Sequence, residues 1–332
     1  MADKQAVFIT GATGFVGGHL AAQLVRRGEK VRVLCRKNSS LRNLEGLAVE
    51  PVYGDLQDQE SLVQGMQGCR QVYHVAADYR LWSPDPSELY LNNLIGTRNI
   101  LQAARRTKIQ RMVYTSTVGA LGFTSNGTPA DEETPVSLSD MIGHYKRSKF
   151  MAEVEVQAAA AGGFPVVIVN PSTPVGSGDL KPTPTGQIIV QFLNGKMPAY
   201  MDTGLNLVDV EDVAQGHLSA MEKGKVGERY ILGNRNLTLH QILEILSQIS
   251  GRPVPKVKLP WVGAMGIAAV CTGVSSVTKQ TPLVSLEAAR MSRKKMFFSQ
   301  AKAVRDLDLP QTPVEKALEK AVRWFRDNGY AK

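Results

Sequence analysis

A short apolar run, Ala6-Val-Phe-Ile9, leads directly into Thr10-Gly11-Ala12-Thr13-Gly14-Phe15-Val16-Gly17, and then into a helical pattern with Val16, Leu20 and Leu24 on one face. Glycines three residues apart permit a tight turn and close backbone approach. A strand can therefore end, reverse into a helix and leave free N–H groups at the positive helix end, where a pyrophosphate is held. A glycine triplet alone also serves as a plain structural turn; its place between strand and helix is what points to a dinucleotide. Gly11, Thr13, Gly14, Phe15, Val16 and Gly17 are the expected contacts.

Four more apolar runs, Val31–Leu34, Val72–Val75, Met112–Tyr114 and Val166–Val169, alternate with helical stretches such as the one carrying Ile100, Leu101 and Ala104. This alternation predicts an α/β fold, a Rossmann-like doubly wound parallel sheet with helices on both faces. After residue 175 the pattern changes to Pro/Gly-rich loops, as in Gly176–Gly186, separated by shorter helices. The expected organisation is a nucleotide-binding domain over 1–175 and a smaller C-terminal α/β substrate lobe over 176–332, with later segments free to return to the first. The last helix is marked by an apolar stripe of Val314, Ala317, Leu318, Ala321, Val322 and Phe325.

NAD-binding folds usually place an Asp or Glu at the end of the second strand to bind the ribose 2′-hydroxyl. Cys35 stands there, followed by Arg36 and Lys37, whose charges suit a 2′-phosphate. NADP is therefore expected ahead of NAD, although two basic residues in a solvated loop would read the same way.

Tyr145-Lys-Arg-Ser-Lys149 puts a phenol and an ammonium four residues apart on one helical face. A nearby cation favours the phenolate and so assists proton exchange. The same spacing is common among surface pairs, so the assignment leans on the glycine loop. Strand Met112–Thr115 runs out into Ser116 and Thr117, hydroxyls at the sheet edge where ligands of open α/β folds bind. His19, His74, His144, His217 and His240 are scattered, and no metal site is expected.

With 43% hydrophobic and 21% charged residues in 332, the chain can bury a large core. Three distant cysteines, Cys35, Cys69 and Cys271, suit a reducing cytoplasm, and the first residues enter an apolar run too short for a secretory signal. The net charge of +9 fits anionic ligands generally; the densest basic run, 290–295, lacks the pattern of a nucleic-acid module, and no nucleic-acid partner is expected. Leu259–Thr278 is uncharged, yet its Gly, Ala, Ser and Thr content predicts a helix that touches protein, or lipid peripherally, rather than a membrane span.

Over nearly its whole length the chain resembles the extended short-chain dehydrogenase/reductases, in Thr10–Gly17, Gly54-Asp55-Leu56, His74-Val-Ala76-Ala77, Asn93-Leu-Ile-Gly-Thr97 and Tyr145–Lys149. The resemblance implies that Asp55 and Leu56 meet the adenine, and that Ala76, Ala77, Asn93, Thr115, Ser116, Pro171 and Ser172 line the cofactor. It implies Thr117, or Ser116 beside it, as the catalytic hydroxyl, Tyr145 as acid/base, and Lys149 as the group that holds the ribose and tunes Tyr145. Residues 76–86, 143–150 and 170–176 look like hopanoid-associated sugar epimerases and dihydroflavonol reductases. Sugar epimerases usually carry an Arg-Asp pair where this chain has Leu205-Asn206, which favours net reduction of a ketone or aldehyde. Tyr79, Arg80 and Trp82 are the expected substrate contacts, and family habit implies a homodimer. The rivals are epimerisation or dehydration with retained NAD, and a non-catalytic NADP sensor.

Overall fold

A computed structural model describes residues 5–124, 127–278, 286–292 and 294–331, so the extreme N-terminus and Arg293 of the basic run lie outside the described residues. Seven strands form one parallel sheet: β1 (Ala6–Thr10), β2 (Val31–Cys35), β3 (Val49–Tyr53), β4 (Cys69–His74), β5 (Arg111–Thr115), β6 (Val166–Pro171) and a late strand, Arg229–Leu232. From one edge the order is the late strand, β6, β5, β4, β1, β2, β3. Strand β3 escapes a periodicity reading because Val49-Glu-Pro-Val-Tyr53 is largely solvated and contains a proline, which only an edge strand accommodates.

Helices cover both faces. Leu20 and Leu24 of α1 (Phe15–Arg26) pack with Val213, Leu218 and Met221 of helix Val210–Lys223 against Val7, Ile9 and Val33. Opposite, Leu62 and Met66, Ile100 and Leu101, and Ala152 and Val156 from three successive helices enclose Phe8, Val72, Met112 and Ile168. Each such side chain taken from water contributes roughly 1.5–3 kcal/mol, which is why the strands read as continuous apolar runs.

The chain does not leave the sheet for good at residue 175, since helix Val210–Lys223 and strand Arg229–Leu232 return to it. The second lobe is built from the small sheet of Thr173–Val175, Gly204–Asp209, Arg235–Thr238 and Lys295–Met296 and from helices Pro184–Leu193, Leu239–Ser250 and Val314–Asp327. The expected stripe from Val314 to Phe325 forms the centre of its core. The uncharged segment is helix Trp261–Thr278, and among the described residues no helix is long and apolar enough to cross a membrane.

Candidate active site

All seven strands being parallel, their C-terminal ends share one edge, with Thr10 paired to Leu34 and His74, His74 to Tyr114, and Thr115 to Val169. The strand order turns around between β1 and β4, the crevice where such folds bind ligands.

The three glycines of the first turn have separate jobs. Gly11 has φ +76°, and a Cβ on it would lie 2.5 Å from the Ala76 amide nitrogen; a Cβ on Gly17 would lie 2.2 Å from Gly11 O. Those two let backbones touch. Gly14 is exposed, and a Cβ there would meet only Gly11 O at 3.2 Å. It also caps α1, whose first turn has neither an acidic residue nor a side-chain cap. Open backbone donors on a positive helix end fit the phosphates of a dinucleotide. Beneath the turn, Thr10 Oγ1 accepts from Ala76 N and lies 2.7 Å from His74 Nδ1, while His74 Nε2 reaches Thr97 Oγ1 at 3.2 Å. Burial, helped by the nearby Lys149 charge, lowers His74 to about 3, so this histidine is a neutral brace.

Arg36 and Lys37 stand exposed at the end of β2, with no side-chain partner among the described residues, beside buried Cys35. Asp55 sits at the turn after β3, where its carboxylate accepts from Gln57 N at 2.9 Å, and Leu56 packs close to Gly96. Ala76 and Ala77 follow β4 beside Gly11; Pro171 and Ser172 end β6, where Ser172 Oγ donates to Leu232 O at 3.2 Å.

Three consecutive hydroxyls stand at the end of β5, and they separate cleanly. Thr115 Oγ1 is buried 2.9 Å from His217 Nε2, and Ser116 Oγ is buried without a hydrogen-bond partner among the described residues. Thr117 Oγ1 accepts from Gly119 N at 3.0 Å, and it is the hydroxyl near enough to Tyr145 to act on its phenol. Burial raises the Tyr145 phenol above its ordinary value and the Asp78 charge adds to that, while the nearby Thr117 hydroxyl pulls it down. Lys149 is almost fully buried, donating to Tyr114 Oη at 2.9 Å and to Thr115 O at 2.8 Å. Burial lowers its ammonium to about 7 against the pull of Glu153. Glu153 in turn accepts from Asn170 Nδ2 at 2.9 Å, and the same amide donates to Thr117 O at 3.1 Å. A buried polar chain therefore supports the hydroxyl and the ammonium together.

Two expected contacts are otherwise engaged. Asn93 is buried, its amide donating to Asp78 O and Ser148 Oγ and accepting from Asp78 N at 2.8 Å, so it positions the loop after β4. Arg80, read from sequence as an anion holder, is matched by two carboxylates, Asp78 at 2.9 Å and Glu88 at 2.7 Å. Tyr79 is exposed and its Oη donates to Lys181 O at 3.2 Å. Trp82 lines a cavity of about 210 Å³ with Ser83, Leu89, His144 and Glu287.

Sequence reasoning missed the clasp over the glycine turn. Asn43 Nδ2 donates to Gly178 O at 3.1 Å and to Gly14 O at 3.3 Å, and His19 Nε2 lies 2.8 Å from Ser177 O. The loop after β6 is thereby tied to the phosphate turn. Its one sequence signal is the density of glycine and proline in 176–186.

The fold and site define a class, and the comparisons agree with it: the chain belongs to the NAD dependent epimerase/dehydratase family, whose description it matches over residues 7–233, and thus to the extended short-chain dehydrogenase/reductases. A Synechocystis protein provisionally named dihydroflavonol 4-reductase is 47% identical over 329 residues, 98% of this chain and 96% of that one. Sterol demethylase protein B of Methylococcus capsulatus is 36% identical, covering 97% of this chain and 98% of its own. Among solved structures, gox2253 has a TM-score of 0.89 at 45% identity, covering 99% of this chain and 100% of that one.

Proposed function

We propose that this oxidoreductase reduces a ketone or aldehyde with NADP(H), Tyr145 donating the proton. The observation that carries the reading is the nearness of the Thr117 hydroxyl to the Tyr145 phenol at the sheet edge, backed by the Asn170–Glu153 pair and the buried Lys149 that feels the Glu153 charge. The glycine turn and the first turn of α1 would hold the pyrophosphate, and Arg36 and Lys37 would hold the 2′-phosphate. When bound, NADPH supplies the hydride. The chain's own part is to orient the carbonyl oxygen on Thr117 and Tyr145, to pass it the phenol proton, and to hold Lys149 close by, whose protonated form lowers the cost of the phenolate left behind.

Net reduction is favoured over sugar epimerisation by Asn206. That residue is fully buried: its Nδ2 donates to Asn236 Oδ1 and Phe298 O, and its Oδ1 accepts from Asn234 N. It is built into the lobe and offers no cation to a sugar diphosphate. The reductase name of the Synechocystis relative points the same way.

Tyr145→Phe is expected to lower kcat at least 100-fold on any working carbonyl while NADPH still binds. Full turnover by that variant would remove Tyr145 from the chemistry.

A further inference from the structure

The helix that carries Tyr145 presents a second basic residue one position on. Lys146 is 6% exposed, and its ammonium has no hydrogen-bond or ion-pair partner among the described residues; what it faces is the Phe123 ring, 5.2 Å away at the centroid. Lys294, from the second lobe, stands 4.9 Å from the same centroid. Two ammoniums on one ring repel, and burial together with Lys294 lowers Lys146 to about 8. The carboxylate that feels Lys294 is Asp140, but it is exposed and its Oδ2 is taken by Ser137 N and Oγ at 2.8 and 2.7 Å. The Lys146 stem is buried while its ammonium keeps some contact with solvent, and a cation in so apolar a surround is unfavourable unless something else supplies an acceptor.

The cluster adjoins the reacting groups. The point where a Cβ on Gly119 would sit is 3.5 Å from Lys146 Cε and 3.3 Å from Thr117 Oγ1. The lysine stem and the Thr117 hydroxyl thus close round Gly119 from two sides, within a few ångströms of one another. Arg80, the other cation near Tyr145's Asp78, is already neutralised by Asp78 and Glu88.

We propose that Lys146 and Lys294, from either lobe, form an anion subsite, and that the substrate carries a carboxylate or phosphate a few atoms from the carbonyl held by Thr117 and Tyr145. Phe123 supplies the floor on which the intervening atoms rest. The substrate class rests on the carbonyl-reductase reading; the anion subsite itself does not.

Calorimetric titration of the NADP⁺-loaded protein with benzoate, phenyl phosphate and benzyl alcohol tests the subsite without turnover. At least one anion should bind tenfold or more tighter than benzyl alcohol, the tighter of the two identifying carboxylate or phosphate. Lys146→Met and Lys294→Met should each weaken it about tenfold or more with NADPH affinity unchanged, and Lys146→Gln serves if the methionine variant misfolds. Anions that bind no better than the alcohol, or variants that bind them like the parent, overturn the proposal. In a second arm, kcat/KM for 4-carboxybenzaldehyde should exceed that for its methyl ester tenfold, with the preference lost in both variants. Equal rates on the two aldehydes would remove the acidic substrate, whereas no turnover of either with anion binding intact would strike the reductase reading and spare the subsite.

Discussion

Replacing Gly14 and Gly17 by alanine, one at a time, separates the part of the glycine turn that holds the fold from the part that would hold the nucleotide. At Gly17 the new methyl would lie 2.2 Å from Gly11 O, 2.7 Å from Gly11 C and 2.9 Å from Ala12 Cα, all of them backbone atoms. Relief requires prising α1 from the turn, and overpacking of this kind costs about 1–3 kcal/mol. At about 2–4 °C per kcal/mol, the melting temperature should fall by roughly 3–10 °C. At Gly14 the backbone is extended, with φ −86° and ψ −179°, and the only close neighbour is Gly11 O at 3.2 Å. The loss there is that of a glycine helix cap, under about 1 kcal/mol. The methyl nonetheless projects into the open cradle, so NADPH should bind about 10–100-fold more weakly. Thermal melts with and without NADPH, joined to a fluorescence titration of the nucleotide, read both effects. A Gly17→Ala protein that melts with the parent, or a Gly14→Ala protein that binds NADPH normally, would refute the division of labour.

Arg36→Glu should shift the kcat/KM ratio of NADPH to NADH downward by about 10–100-fold, the worth of a charge-assisted hydrogen bond; an unchanged ratio would place the 2′-phosphate elsewhere. Asn43→Ala removes the bonds to Gly14 O and Gly178 O, so stopped-flow displacement should show NADPH leaving several-fold faster, with thermal stability lowered by no more than about 1–2 kcal/mol. Burial holds Lys149 at about 7 in the folded chain, against an ordinary 10.5. Between those values the unfolded chain binds the proton and the folded chain does not, so this group makes the nucleotide-free protein more stable as pH rises from about 7 to 10. Urea melts across that range should show the rise, and Lys149→Met should flatten it; a variant with the parent's slope would mean the ammonium is not held as described.

The site was legible in part. The glycine turn was readable because its chemistry is local: a strand, a reversal and a helix start within a dozen residues. Helical spacing could put Tyr145 and Lys149 on one face, but it could not tell them from a surface pair without the glycine turn. For Arg80 sequence left an anion contact and a packed loop both open, because its partners Asp78 and Glu88 meet it only through the path of a loop, and loop paths leave no periodicity. Asn93 matched a family pattern, but its role as an internal brace depends on Ser148, 55 positions away. Of Thr115, Ser116 and Thr117, sequence could say only that hydroxyls stood at a sheet edge; the packing of His217 against Thr115 decided which one faces Tyr145.

By itself, then, the order of residues determined the alternation of strand and helix, the parallel sheet and the two short motifs, since each follows from backbone sterics and side-chain period within a single element. The tertiary structure alone decided which distant groups meet: Asn43 with Gly178, Glu153 with Asn170, and Lys146 with Lys294 across Phe123. Such meetings depend on strand order and on the return of the chain to the sheet after residue 209, and no local preference encodes either.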